Sequence, residues 1–174
     1  MAQSGVFLAD RREQRLSGID LIELIQAVLR TGSSVRIQAN GCSMSPFIRN
    51  GDVLMLSALR AKSPGLGDVV AFRFSGTNKL TFHRVAGKVK GLYLVRGDNC
   101  PEADGLIPES DILGTVNGIE RDGSPVFFGL GPERQIIAFL SGRNILFLLK
   151  NLLRKIPGFF KASSGRGVLA PTTM

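Results

Sequence analysis

Residues 80–95 read LTFHRVAGKVKGLYLV and contain two strand-like runs around a single turn. Leu80–Val89 and Leu92–Val95 are rich in the β-branched and aromatic residues that favour strands. Lys90-Gly91 separates the two runs, and a glycine in such a short connection favours a tight hairpin turn. This stretch therefore predicts two antiparallel strands paired through Lys90-Gly91.

The same pattern continues on both sides of this hairpin. From Ser34 onward Val35, Ile37 and Ala39 alternate with polar residues, which is strand spacing. Further strand-like runs are Val53–Leu56, Val69–Phe74, Ile112–Ile119 and Val126–Phe128. Turn-like connections are Asn50-Gly51, Ser75-Gly76-Thr77-Asn78 and Arg121-Asp122-Gly123. Many short strands with glycine turns predict a mainly β fold, an antiparallel sheet curled into a barrel or sandwich.

Helices are predicted on both sides of this β-rich region. An apolar stripe from Ile19 to Leu29 predicts a helix over 18–31, with Ser17 as its N-cap and Gly32 at its end. Gly131-Pro132-Glu133 opens a second helix. We therefore divide the chain into an amino-terminal segment (1–33), a β-rich domain (34–130) and a carboxy-terminal helix with a mobile tail (131–174).

The basic charge of the chain is concentrated in its carboxy-terminal part. The net charge is +8, and residues 133–174 hold seven basic residues and one acidic residue. Apolar and basic side chains over Ile137–Ile156 fall mainly on opposite sides of the predicted helix, a pattern typical of interfacial helices. This pattern predicts either an anionic membrane surface or a helix that covers the sheet or pairs with another subunit. Nucleic acid is not predicted, because the β-rich body is nearly neutral.

Composition excludes several classes of protein. A hydrophobic fraction of 44% and a charged fraction of 21% are ordinary for a globular chain and exclude a disordered one. Two cysteines are too few for a disulfide framework, and His83 is the only histidine. We therefore predict no metal and no cofactor. The first fifteen residues hold too short an apolar stretch for a signal peptide or anchor, so we expect a cytoplasmic or peripheral membrane protein.

One serine lies in a distinctive segment, Gly41-Cys42-Ser43-Met44-Ser45-Pro46, between two predicted strands. A serine hydroxyl is a weak nucleophile and needs a neighbouring base. Histidine suits proton transfer near neutral pH, which makes His83 the candidate. A carboxylate must then orient the imidazole. Asp98 and Asp104, six residues apart in one predicted loop, are the two candidates.

These residues belong to an ordered series of short motifs. The series is Gly41–Pro46, Gly51-Asp52, Gly67-Asp68, His83-Arg84, Gly97-Asp98-Asn99 with Asp104, and Ile112-Leu113-Gly114. Over residues 35–116 it resembles the signal peptidase and LexA-like serine peptidase clan. A histidine at the position of the base, followed by Gly-Asp-Asn and a later aspartate, is closest to the archaeal and endoplasmic-reticulum signal peptidases.

The resemblance implies a role for each site residue. Ser43 is the nucleophile, His83 the base, and Asp104 the carboxylate that orients His83. Asp98 then braces the loop through backbone donors or Arg84. The resemblance also implies an extended peptide substrate with small side chains beside the cleaved bond.

The surroundings of the serine are also candidates for oxyanion or substrate binding. Cys42, Met44 and Pro46 flank Ser43, whose backbone N–H is the first oxyanion donor. Many bacterial signal peptidases supply a second donor from a hydroxyl residue two positions earlier. Gly41 occupies that position here and has no side chain. Cys42 and Cys100 flank the serine and the aspartate loop, and either a disulfide or two free thiols is consistent with this; we favour free thiols.

We interpret the chain as a serine endopeptidase that removes a leader or signal peptide from a precursor protein. Two alternatives remain. A non-catalytic domain of the same fold would bind peptides by strand addition. A LexA-like self-cleaving regulator is less favoured, because one helix over 18–31 is too little for helix-turn-helix DNA recognition. Such a regulator would also need a cleavage site in a linker ahead of Ser43. The only Ala-Gly pair, Ala86-Gly87, lies inside a predicted strand instead.

Overall fold

A computed structural model describes residues 18–59, 63–74, 79–143 and 145. The helices are α1 (Gly18–Arg30) and α2 (Arg134–Gly142). The strands are β1 (Val35–Gln38), β2 (Val53–Ala58), β3 (Val69–Phe74), β4 (Lys79–Val89), β5 (Leu92–Arg96), β6 (Gly105–Ile107), β7 (Ile112–Arg121) and β8 (Ser124–Pro125).

The described strands form one antiparallel sheet in the order β1-β2-β7-β3-β4-β5-β6, with β8 paired to β7. The mainly β prediction is confirmed, and the sheet is curled. Register shifts in the β2–β7, β3–β7 and β4–β5 pairs interrupt the regular ladder, and such bulges add local twist and bending to a sheet.

Two apolar clusters lie on opposite faces of the sheet. The larger one packs α1 against β1, β2 and alternate residues of β3 and β7, with Ile25 and Leu54 at its centre. The smaller one surrounds Phe72 and Tyr93 on the other face. Alternation along β3 explains this division, because Val69 and Ala71 face the first cluster and Val70 and Phe72 face the second.

The amino-terminal helix agrees with its prediction within one residue. Ile22, Ile25 and Leu29 are buried, whereas Ile19 is exposed rather than part of the buried stripe. Gly32 ends the helix in the left-handed region, with φ of +81° and its N–H donated to Leu29 O. The predicted N-cap, Ser17, lies outside the described residues.

Two short elements differ from the predictions. Val126–Phe128 is not a strand: β8 contains only Ser124–Pro125, although Val126 still donates its N–H to Ile119 O of β7 at 2.8 Å. Asp122 and Gly123 both have positive φ, so the tight turn pairs Ser124 directly with Arg121 and fixes a short hairpin. The three-residue strand β6 was not predicted, because so short a run carries no periodicity.

The carboxy-terminal helix is only partly described. The Gly131-Pro132-Glu133 segment was predicted to open this helix, but α2 begins only after it, at Arg134, and ends at Gly142. Ile137, Ala138 and Ser141 are buried, and α2 packs against β4. The described part of this helix therefore covers the sheet, which is one of the two alternatives that the sequence left open. Apart from Ile145, the rest of the predicted amphipathic helix and the tail lie outside the described residues. None of the described helices is long and apolar enough to cross a bilayer.

Candidate active site

Ser43 is positioned by the buried residue that follows it. The Met44 side chain is in the larger core, and Met44 O accepts a hydrogen bond from Ile48 N at 3.1 Å. Gly41, with φ of +102°, donates its N–H to Asn50 Oδ1. The segment between β1 and β2 is thus fixed at both ends, and Ser43 remains half-buried at the surface of the molecule.

His83 lies in β4 and contacts one of the two candidate aspartates. Its Nδ1 is hydrogen-bonded to Asp104 Oδ2. Because Asp104 accepts the Nδ1 proton, Nε2 is the ring nitrogen available for proton exchange elsewhere. The imidazole is buried, and its ring centroid lies 6.1 Å from that of Phe72. Packing and the carboxylate together therefore fix the orientation of the ring.

Gly97 marks the place where the serine segment meets His83. A Cβ at this position would lie 2.8 Å from Ser43 O and 3.0 Å from His83 Nε2. It would also lie 2.7 Å from Cys100 Sγ. Only a residue without a side chain lets the three groups approach this closely, so the glycine of the Gly97-Asp98-Asn99 motif is required by packing at the site.

The loop after β5 brings Ser43, His83 and Asp104 together. Asn99 donates its backbone N–H to Ser43 O at 2.7 Å and its side-chain amide to Cys42 O at 3.0 Å. Asp104, at the far end of the same loop, donates its N–H to Val95 O. One loop therefore holds both the backbone of the serine segment and the carboxylate that contacts His83.

Asp98 does not contact His83 through a hydrogen bond; it pairs with Arg84 instead. Arg84 Nε and Nη2 donate to the Asp98 carboxylate at 2.7–3.1 Å, and both side chains are buried. Burial raises the pKa of the Asp98 carboxyl, and the hydrogen bonds from Arg84 oppose that rise. Arg84 Nη1 also donates to Gly67 O and Gly129 O. Of the two partners expected for Asp98, backbone donors or Arg84, the structure shows Arg84.

A pocket of about 390 Å³ opens beside these residues. Its polar or charged lining includes Ser43, His83, Asp104, Asn40, Lys79 and Thr81, and its apolar lining Ala39, Met44, Ile48, Leu54, Phe74, Leu80 and Phe82. The structure thus brings Ser43, His83, Asp104 and Met44 to one cavity. Cys42 and Pro46 do not line it, although both flank it in sequence.

The sequence did not single out Lys79, Leu80 or Phe82 as site residues. All three precede His83 on β4, and they line the pocket because this part of β4 borders the serine segment. The sequence placed these three residues on the same predicted strand as His83. It could not show which segments border that strand, because this depends on the order of the strands in the sheet. Asn99 is similar: the motif contained it, and its two hydrogen bonds to the serine segment appear only in the fold.

Both cysteines are free thiols. Cys42 is exposed and Cys100 partly buried. Burial and the nearby Asp104 carboxylate raise the pKa of the Cys100 thiol, and Cys42 contributes to the rise. The two cysteines are therefore close enough to interact, as expected from the sequence.

Asp52 and Asp68, the aspartates of the Gly51-Asp52 and Gly67-Asp68 motifs, form structural contacts. The Asp52 carboxylate accepts hydrogen bonds from Arg49 N and from Arg121 at 2.7–2.8 Å. Asp68 Oδ2 accepts from Gly65 N at 2.8 Å, which closes the turn before β3. Neither residue lines the pocket that contains Ser43.

Comparisons with known proteins agree with this arrangement. A family model described as Peptidase S24-like matches residues 8–116, more than half of the chain. The match covers α1, the serine segment, β4 and the aspartate loop. A search of curated proteins gave no match. The chain belongs to the Peptidase S24-like family of serine peptidases.

Proposed function

We propose that this protein is a serine endopeptidase of the signal-peptidase type, which removes a leader or signal peptide from a precursor protein. The observation that carries the proposal is the His83–Asp104 hydrogen bond at a pocket that Ser43 also lines. This is the arrangement that nucleophilic catalysis by serine requires.

In the proposed reaction Ser43 Oγ attacks the carbonyl carbon of the cleaved peptide bond. His83 Nε2 takes the hydroxyl proton and returns it to the leaving amine, and Asp104 stabilises the imidazolium that forms. The Ser43 backbone N–H is the proposed oxyanion donor. Water then attacks the acyl-enzyme, with His83 again as base, and releases the new carboxyl end of the leader.

We propose that the substrate binds as an extended strand along the first half of β4. Residues 79–83 pair with β3 on one side, whereas β5 pairs with β4 only from Arg84 onward. Among the described strands, none pairs with residues 79–83 on the second side. A peptide added there would form main-chain hydrogen bonds beside Ser43, and the apolar pocket would receive side chains adjacent to the cleaved bond.

Proteome-wide amino-terminal sequencing tests the proposal. Host cells would express the wild-type chain, Ser43→Ala or Ser45→Ala, the last being a matched serine two residues away. We expect new termini at the ends of apolar leaders with the wild-type and Ser45→Ala proteins, and their absence with Ser43→Ala. Identical termini in all three strains, with folded protein, would contradict the proposal and favour the non-catalytic peptide binder.

A self-cleaving regulator is the second candidate, and the family match to S24-like peptidases supports it. The only Ala-Gly pair, Ala86-Gly87, lies in β4, and Gly87 pairs with Leu94 of β5. Cleavage of this bond would require the strand that carries His83 to leave the sheet. Prolonged incubation of the purified chain separates the candidates: a self-cleaving protein gives two fragments that Ser43→Ala does not give.

A further inference from the structure

Large apolar side chains are exposed in and just before α2. Ile136 and Phe139 are 63% and 53% exposed, and Phe127 and Phe128 are 82% and 62% exposed. Isolated exposed apolar residues are common on soluble proteins. Apolar residues that together form one exposed surface, in contrast, mark interaction sites.

Helix geometry places two of these residues on one face of α2. Ile137, Ala138 and Ser141 are the buried residues of the helix, and they face β4. Ile136, Phe139 and Arg143 follow the i, i+3, i+7 spacing of a single stripe, which at 3.6 residues per turn lies opposite the buried side. We call this stripe the outer face of α2.

The outer face combines apolar surface with positive charge. The Arg143 guanidinium lies 4.5 Å from the centroid of the Phe139 ring. The chain as a whole carries a net charge of +8. A second copy of this chain would bring equal positive charge against the surface and repel it. A negatively charged lipid surface would attract it.

We infer that the outer face of α2 docks onto an anionic lipid bilayer. Ile136 and Phe139 enter the boundary between headgroups and acyl chains, and Arg143 pairs with lipid phosphates. This is the chemistry of an interfacial helix, in which apolar side chains insert while basic side chains stay among the headgroups. The inference does not depend on catalysis, since none of these residues lines the Ser43 pocket.

Vesicle co-flotation of the full chain tests the inference. The vesicles contain phosphatidylcholine alone or with phosphatidylglycerol. We expect the wild-type protein to float with the phosphatidylglycerol vesicles and raised salt to release it, because screening weakens the attraction to anionic headgroups. The double variant I136S/F139S should bind on the order of tenfold more weakly, since it lacks both inserting side chains.

Two controls keep the result specific. The double variant I19S/L24S removes two apolar residues of similar exposure from α1, 49% and 52%, and should bind like wild type. Ser43→Ala should also bind like wild type, so that a failure of the peptidase proposal leaves this test intact. Circular dichroism would establish that each variant is folded.

Three outcomes would overturn the inference. The first is no wild-type binding to phosphatidylglycerol vesicles. The second is equal binding of wild type and I136S/F139S, which would show that another part of the chain binds the lipid. The third is a wild-type dimer in analytical ultracentrifugation that I136S/F139S abolishes, which would make the outer face an interface between copies of this chain.

Discussion

At the scale of single residues, His83 and Arg84, neighbours on β4, contact the two aspartates that spacing alone could not tell apart and that the family resemblance assigned. Successive strand residues face opposite sides of a sheet. His83 therefore contacts Asp104 on one side of β4, while Arg84 contacts Asp98 on the other side. The six-residue separation of the aspartates allowed either assignment. The alternation of β4, combined with the course of the loop, settles which carboxylate meets the imidazole.

The two free thiols should differ in reactivity. Cys42 is exposed, whereas burial and Asp104 raise the pKa of the Cys100 thiol. The thiolate is the reactive form, so a raised pKa slows alkylation near neutral pH. We predict that iodoacetamide modifies Cys42 first and Cys100 several-fold more slowly, as peptide mass spectrometry over a time course would measure. Equal rates in the folded protein would contradict this assignment.

Asp52 should make stability depend on pH in the acid range. Burial acts to raise its pKa, but hydrogen bonds from Arg121 and Arg49 N hold the pKa of Asp52 below the ordinary value of 3.8. A carboxyl group whose pKa is lowered in the folded state stabilises the fold at pH values above its ordinary pKa. This stabilisation is lost as the pH falls through the folded-state pKa. We predict that Asp52→Asn lowers the free energy of unfolding at pH 7 by about 2 kcal/mol.

The measurement for Asp52 is urea denaturation at several pH values. The difference in unfolding free energy between wild type and Asp52→Asn should shrink as the pH falls below 3.8. A difference that stays constant across the acid range would show that the Asp52 charge does not contribute to stability.

At the scale of elements, the close approach of the serine segment, β4 and the aspartate loop depends on Gly97. A Cβ there would meet Ser43 O at 2.8 Å, whereas a Cβ at Gly87 of β4 would meet no atom within 4 Å. We predict that Gly97→Ala lowers the free energy of unfolding by about 1–3 kcal/mol, because the crowded groups must move apart. Peptidase activity should fall with it.

Gly87→Ala is the matched control for this prediction. It should leave stability and activity close to wild type, since its Cβ has space and its φ is not in the left-handed region. Thermal unfolding and precursor cleavage measure both effects. Similar losses in the two variants would contradict the packing account of Gly97.

Elements with strong local patterns could be predicted from the sequence, and those defined by long-range pairing could not. The β4–β5 hairpin followed from Lys90-Gly91, both of which have positive φ. Val126–Phe128 has strand composition, but β8 ends at Pro125 and Val126 contributes only one further backbone hydrogen bond, to Ile119 O of β7. The candidate triad came from motif order, while the pocket residues of β4 required the sheet order.

At the scale of the whole molecule, Arg84 connects segments that are distant in sequence. Its guanidinium binds Asp98, Gly67 O and Gly129 O, and lies 5.6 Å from the centroid of the Phe47 ring. It therefore ties β4 to the aspartate loop, to the turn before β3 and to the segment that leads into α2.

Removal of this arginine should therefore destabilise the whole fold. We predict that Arg84→Gln lowers the free energy of unfolding by about 3–5 kcal/mol, because it leaves the buried Asp98 carboxylate without its cation. Arg36→Gln is the control. Its pair with Glu120 is at the surface, with 59% of the Arg36 side chain exposed, and its loss should cost less than about 1 kcal/mol. Equal losses in urea denaturation would contradict this distinction.

The proposed function depends on Ser43 being a nucleophile that His83 activates. Labelling with a fluorophosphonate, whose fluoride an activated serine oxygen displaces, tests it without a known substrate. We predict a phosphonyl adduct on Ser43 and none on Ser45, located by peptide mass spectrometry. His83→Gln should abolish the adduct, and Asp104→Asn should slow its formation. An unlabelled Ser43 in the folded wild-type protein, or equal labelling of wild type and His83→Gln, would contradict the claim.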